Sequence, residues 1–182
     1  MKTLNDSYLN TLLDTKYGDK GTVHSYIQVY QKYVEKFKNR CTLLELGVGY
    51  GESLRMWEDY FDTGYIIGVQ LPSPNDKFLR IVEDYNLNVI YGNATDPELA
   101  FILSNIKFNI IVDDASHKLD DQIKSFNNLF HLVEDGGYYI IEDIEDIDYS
   151  RSIFEKLHKN CTVYDMREEK DRFDNVMVVY EK

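Results

Sequence analysis

The chain has 182 residues, 43% hydrophobic and 14% aromatic, which supplies one buried core and excludes a disordered chain. A formal net charge of −12 excludes a general phosphate-backbone binder, since nucleic-acid affinity rests on clustered Lys and Arg, but leaves a small polar substrate open. Cys41 and Cys161 lie far apart with no CxxC and no His-Cys cluster, as in a reduced, cytoplasmic protein, and no apolar N-terminal or membrane-spanning run points to a membrane partner.

Residues 1–22 are polar apart from a patch of Leu9, Leu12 and Leu13, and Tyr17-Gly18-Asp19-Lys20-Gly21 reads as a loop. Tyr26, Val29, Tyr30, Tyr33, Val34 and Phe37 then recur at helical spacing, so this helix buries one stripe and stops at the charged run from Lys36 to Arg40. Residues 1–40 are thus expected as a short N-terminal helical cap on an α/β core spanning 41–182, all within one domain. Strands are expected at 42–47, 65–70, 88–91, 108–112 and 138–142. Helices fall between them at 52–61, around 76–85, from Asp96-Pro97-Glu98 onward, and along Leu119, Ile123, Phe126, Phe130 and Val133. Gly136-Gly137 turns into the fifth strand, and a last helix covers 149–159. Runs near 161–166 and 174–180, joined by a charged turn from Glu168 to Arg172, read as a closing hairpin. The order predicts a doubly wound, mostly parallel, seven-stranded Rossmann-like sheet with a C-terminal antiparallel hairpin.

Ligands of such sheets bind at the carboxyl ends of the strands. Strand one runs from Leu43 through Glu45 into Gly47, Gly49 and Gly51, and a helix begins at Glu52-Ser53. Glycines there let a ligand approach the backbone, although a plain strand-turn-helix connection would use the same residues. Strand two ends in Gln70, strand three in Gly92-Asn93, strand four in Asp113-Asp114-Ala115-Ser116-His117, and strand five in Glu142-Asp143. Carboxylates gathered on one rim repel each other, and a hard divalent ion held by their oxygens would relieve this. His117, three residues beyond Asp114, has the chemistry of a general base. The other reading is that the acids only cap the following helices. Trp57 and the Tyr-rich stripe at 26–37 read as packing, His131 and His158 as surface residues, and His24 as either a site residue or a helix start.

The spacing E-x-G-x-G-x-G from Glu45 to Gly51 resembles motif I of class I S-adenosylmethionine (SAM) methyltransferases. Ile111 to His117, with Gln122, Ser125-Phe126 and Leu129-Phe130, then Gly136 to Asp143, resembles the macrocin and mycinamicin sugar O-methyltransferases. Leu54-Arg55-Met56-Trp57 with Tyr60-Phe61, and Asp19-Lys20 followed by His24-x-Tyr26, are similar to the same family. The likeness runs from about residue 17 to 143. It implies SAM as cofactor, held by Glu45, Gly47, Gly49, Gly51, Ser53, Gln70, Asn93 and Asp113. It also implies Mg2+ or Mn2+ on Asp114, Glu142 and Asp143, His117 as base, and residues 17–26 covering the site. The implied activity is metal-dependent O-methylation of a sugar hydroxyl, on a glycan or glycosylated metabolite. The implied partner is that small-molecule or glycan acceptor, with a homo-oligomer left open. The chain departs from the family at Gln70, where an acid usually accepts from both ribose hydroxyls, and at Ala115, where glycine is usual. Residues 144–148 are acidic and short where relatives have a longer substrate-covering segment. Two alternatives therefore stand beside the sugar reading. One is a catechol-type O-methyltransferase, which an apolar acceptor pocket would favour; the other is a non-catalytic SAM-binding scaffold.

Overall fold

Cys41–Leu46 (β1) and Phe108–Asp113 (β4) are apolar on both faces and lie side by side in the middle of the sheet, where helices cover them on both sides. The computed structural model describes residues 2–15, 18–72 and 82–182. Tyr17 of the expected loop and most of the helix expected around 76–85 lie outside the described residues, and 82–84 are helical. The other strands are Gly64–Gln70 (β2), Val89–Tyr91 (β3), Val133–Ile141 (β5), Cys161–Asp165 (β6) and Val176–Glu181 (β7). The helices are Leu4–Thr15 (α1), Tyr26–Val34 (α2), Glu52–Tyr60 (α3), Pro97–Ile102 (α4), Leu119–Leu129 (α5), Ile147–Leu157 (α6) and Arg167–Lys170 (α7).

The seven-stranded order is β3-β2-β1-β4-β5-β7-β6, with β7 antiparallel to both its neighbours and the β1–β5 pairings parallel. This is the expected architecture. Alternate residues of the central strands feed two cores. Leu43, Ile110, Val112 and Ile140 pack with Tyr26, Tyr30 and Trp57 on one face. Leu44, Leu46, Ile111 and Ile141 pack with Leu99, Phe126 and Phe154 on the other. Trp57 and the Tyr26–Phe37 stripe are packing residues as read, with the Trp57 ring edge-on to Tyr30 at 5.1 Å. No helix among the described residues is long and apolar enough to cross a membrane.

Two local expectations are corrected. Of the Leu9, Leu12, Leu13 patch only Leu12 packs against the core; α1 buries Leu4, Ser7, Tyr8 and Thr11, and Leu13 is 79% exposed. Three of those four buried residues carry a hydroxyl, so the sequence shows no apolar stripe there. Strand five begins at Val133, which pairs with Phe108 before the register shifts, so Gly136-Gly137 lies inside an irregular strand and not ahead of it. The last helix starts two residues early because the Asp146 side chain accepts from Tyr149 N–H and caps it. His131 is exposed, and His158 ends α6 half-buried with its ring 4.8 Å from that of Phe130.

Candidate active site

The strand order runs outward in opposite directions from the β1–β4 pair, where Leu46 stands opposite Asp113, so a crevice opens beyond these two strand ends. The loops leaving them touch. Gly47 has φ +85°, and a Cβ there would sit 2.0 Å from the Asp114 carbonyl oxygen, so only glycine fits. This contact forms a saddle between two cavities. The larger, about 630 Å³, is bordered by Gly49, Tyr50, Ser53, Lys20, Asp114 and His117. The smaller, about 260 Å³, is bordered by Asn93, Thr95, Asp113 and Ser125. Gly47, Gln70 and Ala115 border both, so one elongated ligand can lie across the saddle.

The residues expected to hold a cofactor distribute unevenly over this geometry. Gly47, Gly49, Ser53 and Gln70 face the larger cavity, and Asn93 and Asp113 the smaller. Glu45 and Gly51 border neither: Glu45 is fully buried in β1, and Gly51 is the left-handed residue from which α3 starts. Gln70 Oε1 accepts the Val48 N–H at 2.8 Å. Asn93 also caps its own loop, its Oδ1 accepting from Thr95 N–H and Oγ1–H, both at 3.0 Å. Asp113 accepts from the Tyr139 hydroxyl at 3.2 Å, and burial pushes its carboxyl up to about 7.

Of the acids expected to bind metal, Asp114 and Asp143 lie within reach of one ion together with His117, whereas Asp114 and Glu142 meet at Lys20, a residue to which sequence reasoning assigned no role. Lys20 reaches in from the N-terminal segment, its ammonium 2.7 Å from Asp114 Oδ2, in contact with Glu142, and 3.5 Å from Glu45. The available signal was the Asp19-Lys20 pair together with the cluster's own need for a cation. On the far side, His117 Nε2 lies 3.1 Å from Asp114 Oδ1 and 3.4 Å from Asp143 Oδ2. His24 is buried, with Nδ1 3.4 Å from Asp143 Oδ1, and borders neither of the two cavities. The Tyr26 hydroxyl donates to that same Asp143 oxygen at 2.6 Å.

Positive charge in the cluster falls short of the negative. Burial disfavours the Lys20 ammonium, but Asp114 and Glu142 beside it more than offset that and hold it protonated. Burial likewise opposes the Asp114 charge, and Lys20 and His117 hold this carboxyl well below its usual range. One ammonium cannot do the same for every acid. Burial, with Asp114 close by, pushes Glu142 and Asp143 upward, and burial pushes Glu45 up to about 7. The hydrogen bond to Asp114 lifts His117 to about 9. Glu142 Oε1 is buried with no hydrogen-bond partner, and single ligand atoms of Asp114, His117 and Asp143 lie within 4.8 Å of one another. Such a donor set, oxygen-rich and deficient in cations, fits a hard divalent ion.

No protein-family profile matches the chain. The 8-demethyl-8-alpha-L-rhamnosyl tetracenomycin-C 2'-O-methyltransferase of Streptomyces olivaceus is 31% identical over 139 residues, which are 70% of this chain and 35% of that protein. Demethylmacrocin O-methyltransferase of Streptomyces fradiae is 31% identical over 136 residues, 68% of this chain and 33% of that protein. The chain thus spans about a third of the length of these relatives. Among solved structures, the MycE methyltransferase of the mycinamycin biosynthetic pathway, in complex with Mg, SAH and mycinamycin VI, superposes with a TM-score of 0.72. That match is 22% identical and covers 98% of this chain and 54% of that one. The chain therefore has the fold of a class I methyltransferase and resembles the macrocin and mycinamicin sugar O-methyltransferases.

Proposed function

We propose that the chain is a SAM-dependent and divalent-metal-dependent O-methyltransferase that acts on a sugar hydroxyl of a glycosylated small molecule. The observation that carries this reading is His117 held between Asp114 and Asp143 at the edge of a cavity floored by the glycine turn. The names of the relatives, which are O-methyltransferases of glycosylated metabolites, support the choice of acceptor. Gly47, Gly49, Ser53 and Gln70 would hold SAM on the larger side of the saddle, and Asn93 and Asp113 on the smaller. Asp114, Glu142 and Asp143 would hold the divalent ion. When bound, SAM supplies an electrophilic methyl group and the ion lowers the pKa of the acceptor hydroxyl.

His117 takes the hydroxyl proton on its imidazole. With Asp114 hydrogen-bonded to it and Asp143 beside it, the imidazole stays protonated up to about pH 9 and is no base, so neutralising Asp114 and Asp143 is what returns it to a proton acceptor near neutrality. The remaining contribution of the chain is to set the acceptor and the methyl group at near-contact distance.

The test is methyl transfer from SAM to a panel of rhamnosides, read by mass spectrometry, with Mg2+ and with excess chelator. His117→Ala should lower turnover by ~10²–10⁴-fold while SAM affinity, measured by calorimetry, stays unchanged. Failure of the protein to bind SAM would sink the reading, and full activity in chelator would remove the metal from it.

A further inference from the structure

Lys20 is 4% exposed, and its ammonium joins carboxylates from three neighbouring strands: Glu45 within β1, Asp114 just beyond β4 and Glu142 just beyond β5. The two oxygens of Asp114 are divided between partners, Oδ2 accepting from Lys20 at 2.7 Å and Oδ1 facing His117 Nε2 at 3.1 Å. With both oxygens engaged by different partners, the carboxylate resists turning about its last side-chain bond, and Oδ1 stays aimed at the imidazole. The lysine is itself presented on a tied turn: its carbonyl accepts the Tyr26 N–H at 2.9 Å, and the Asp19 carbonyl accepts the Val23 and His24 N–H groups at 2.9 Å. The ammonium therefore belongs to a built arrangement and is not the end of a loose surface chain.

We propose that Lys20 is a positioning residue of the active site, a resident cation that orients Asp114 toward His117 and limits the carboxylate cluster to one divalent ion. The proposal rests on the SAM-and-metal reading above. Glu45, Asp114, Glu142 and Asp143 carry four negative charges when ionised; Lys20, one divalent ion and the SAM sulfonium together match them. Without Lys20 the cluster would attract metal more strongly and hold Asp114 less well.

Lys20→Met and Lys20→Arg, in the full chain, separate this from a purely structural role. In Lys20→Met, Mn2+ titration calorimetry should show at least about tenfold tighter binding, because a like charge a few ångströms from the ion has gone. Turnover should fall about 100-fold, the scale of losing placement of a reacting group, with SAM affinity within about threefold of wild type. Lys20→Arg keeps the charge, so its Mn2+ affinity should match wild type and its turnover should lie between the other two proteins. Unchanged or weaker Mn2+ binding in Lys20→Met, or full turnover, overturns the proposal. If the Met variant does not fold, Lys20→Arg decides: reduced turnover at wild-type Mn2+ and SAM affinity supports positioning by the compact ammonium, and full turnover refutes it. A wild-type protein that methylates no acceptor would refute the functional reading instead, and the Mn2+ affinities would still decide the place of Lys20 in the cluster.

Discussion

The Oε1 atom of Gln70 accepts the Val48 N–H, so one of the amide's two acceptor positions is used on the glycine loop. A carboxylate of the same reach would keep that bond with one oxygen and present the other, charged, to a ligand hydroxyl. Gln70→Glu should accordingly tighten SAM binding by about 1 kcal/mol, the usual margin of a charge-assisted hydrogen bond. Weaker binding in calorimetry would mean that the amide donates to the ligand. Asp113 offers a prediction with a definite sign. Its folded pKa, pushed by burial to about 7, lies above the unfolded value, so the native state binds the extra proton between about pH 4 and pH 7. Stability contributed by the protonated form is present below that window and lost as pH rises through it. Asp113→Asn carries no buried charge, so in chelator its stability relative to wild type should grow from about pH 4 to pH 7 and then level off. Denaturant midpoints across that range check this, and a pH-independent difference would exclude Asp113 as the group responsible.

At the scale of the element, α2 does two jobs with one face. Tyr26, Val29, Tyr30 and Val34 bury their apolar parts against the sheet, as the helical spacing implies, and the stripe ends over the carboxylate cluster. Burial keeps the Tyr26 phenol protonated, so its one O–H remains a donor, directed at Asp143 Oδ1 at 2.6 Å with the Asp174 carbonyl 2.9 Å away. Its ring also stacks on His24, centroids 4.7 Å apart. Tyr26→Phe keeps the packing and removes the donor. It should cost about 1.5–3 kcal/mol of stability, the range for a hydrogen bond to a charged group, and lower turnover more than SAM affinity. Urea melts that do not move would show that Asp143 finds another donor.

For the whole molecule, a net charge of −12 with several buried acids beside one lysine makes stability sensitive to cations. A ligand that binds only the folded state at a hundred times its Kd adds about 2.7 kcal/mol. For a chain of this size that corresponds to a Tm rise of roughly 5–10 °C. Mg2+ and SAM should each raise the melting temperature, the two together more than either, and chelator should cancel the Mg2+ part. A Tm indifferent to Mg2+ in the presence of SAM would count against a metal site.

The strand and helix order was legible in the sequence because burial leaves periodic marks: two-sided cover makes β1 and β4 predominantly apolar, and one-sided cover gives α2 and α5 their helical spacing. The topology then placed the acids of Asp113-Asp114 and Glu142-Asp143 on one rim, since adjacent parallel strands end at the same edge. α1 stayed hidden because Ser7 and Thr11 share its buried face, and a hydroxyl inside a helix leaves no apolar signal. What only the tertiary structure decided is how those groups are partnered. Lys20 meets Asp114 across 94 positions and Glu142 across 122, Tyr26 meets Asp143 across 117, and Gln70 turns its oxygen to Val48 on the neighbouring loop. Local sequence records which residues are apolar and how they repeat; which ammonium neutralises which carboxylate depends on distances that exist only once the sheet has closed and the N-terminal segment lies across its edge.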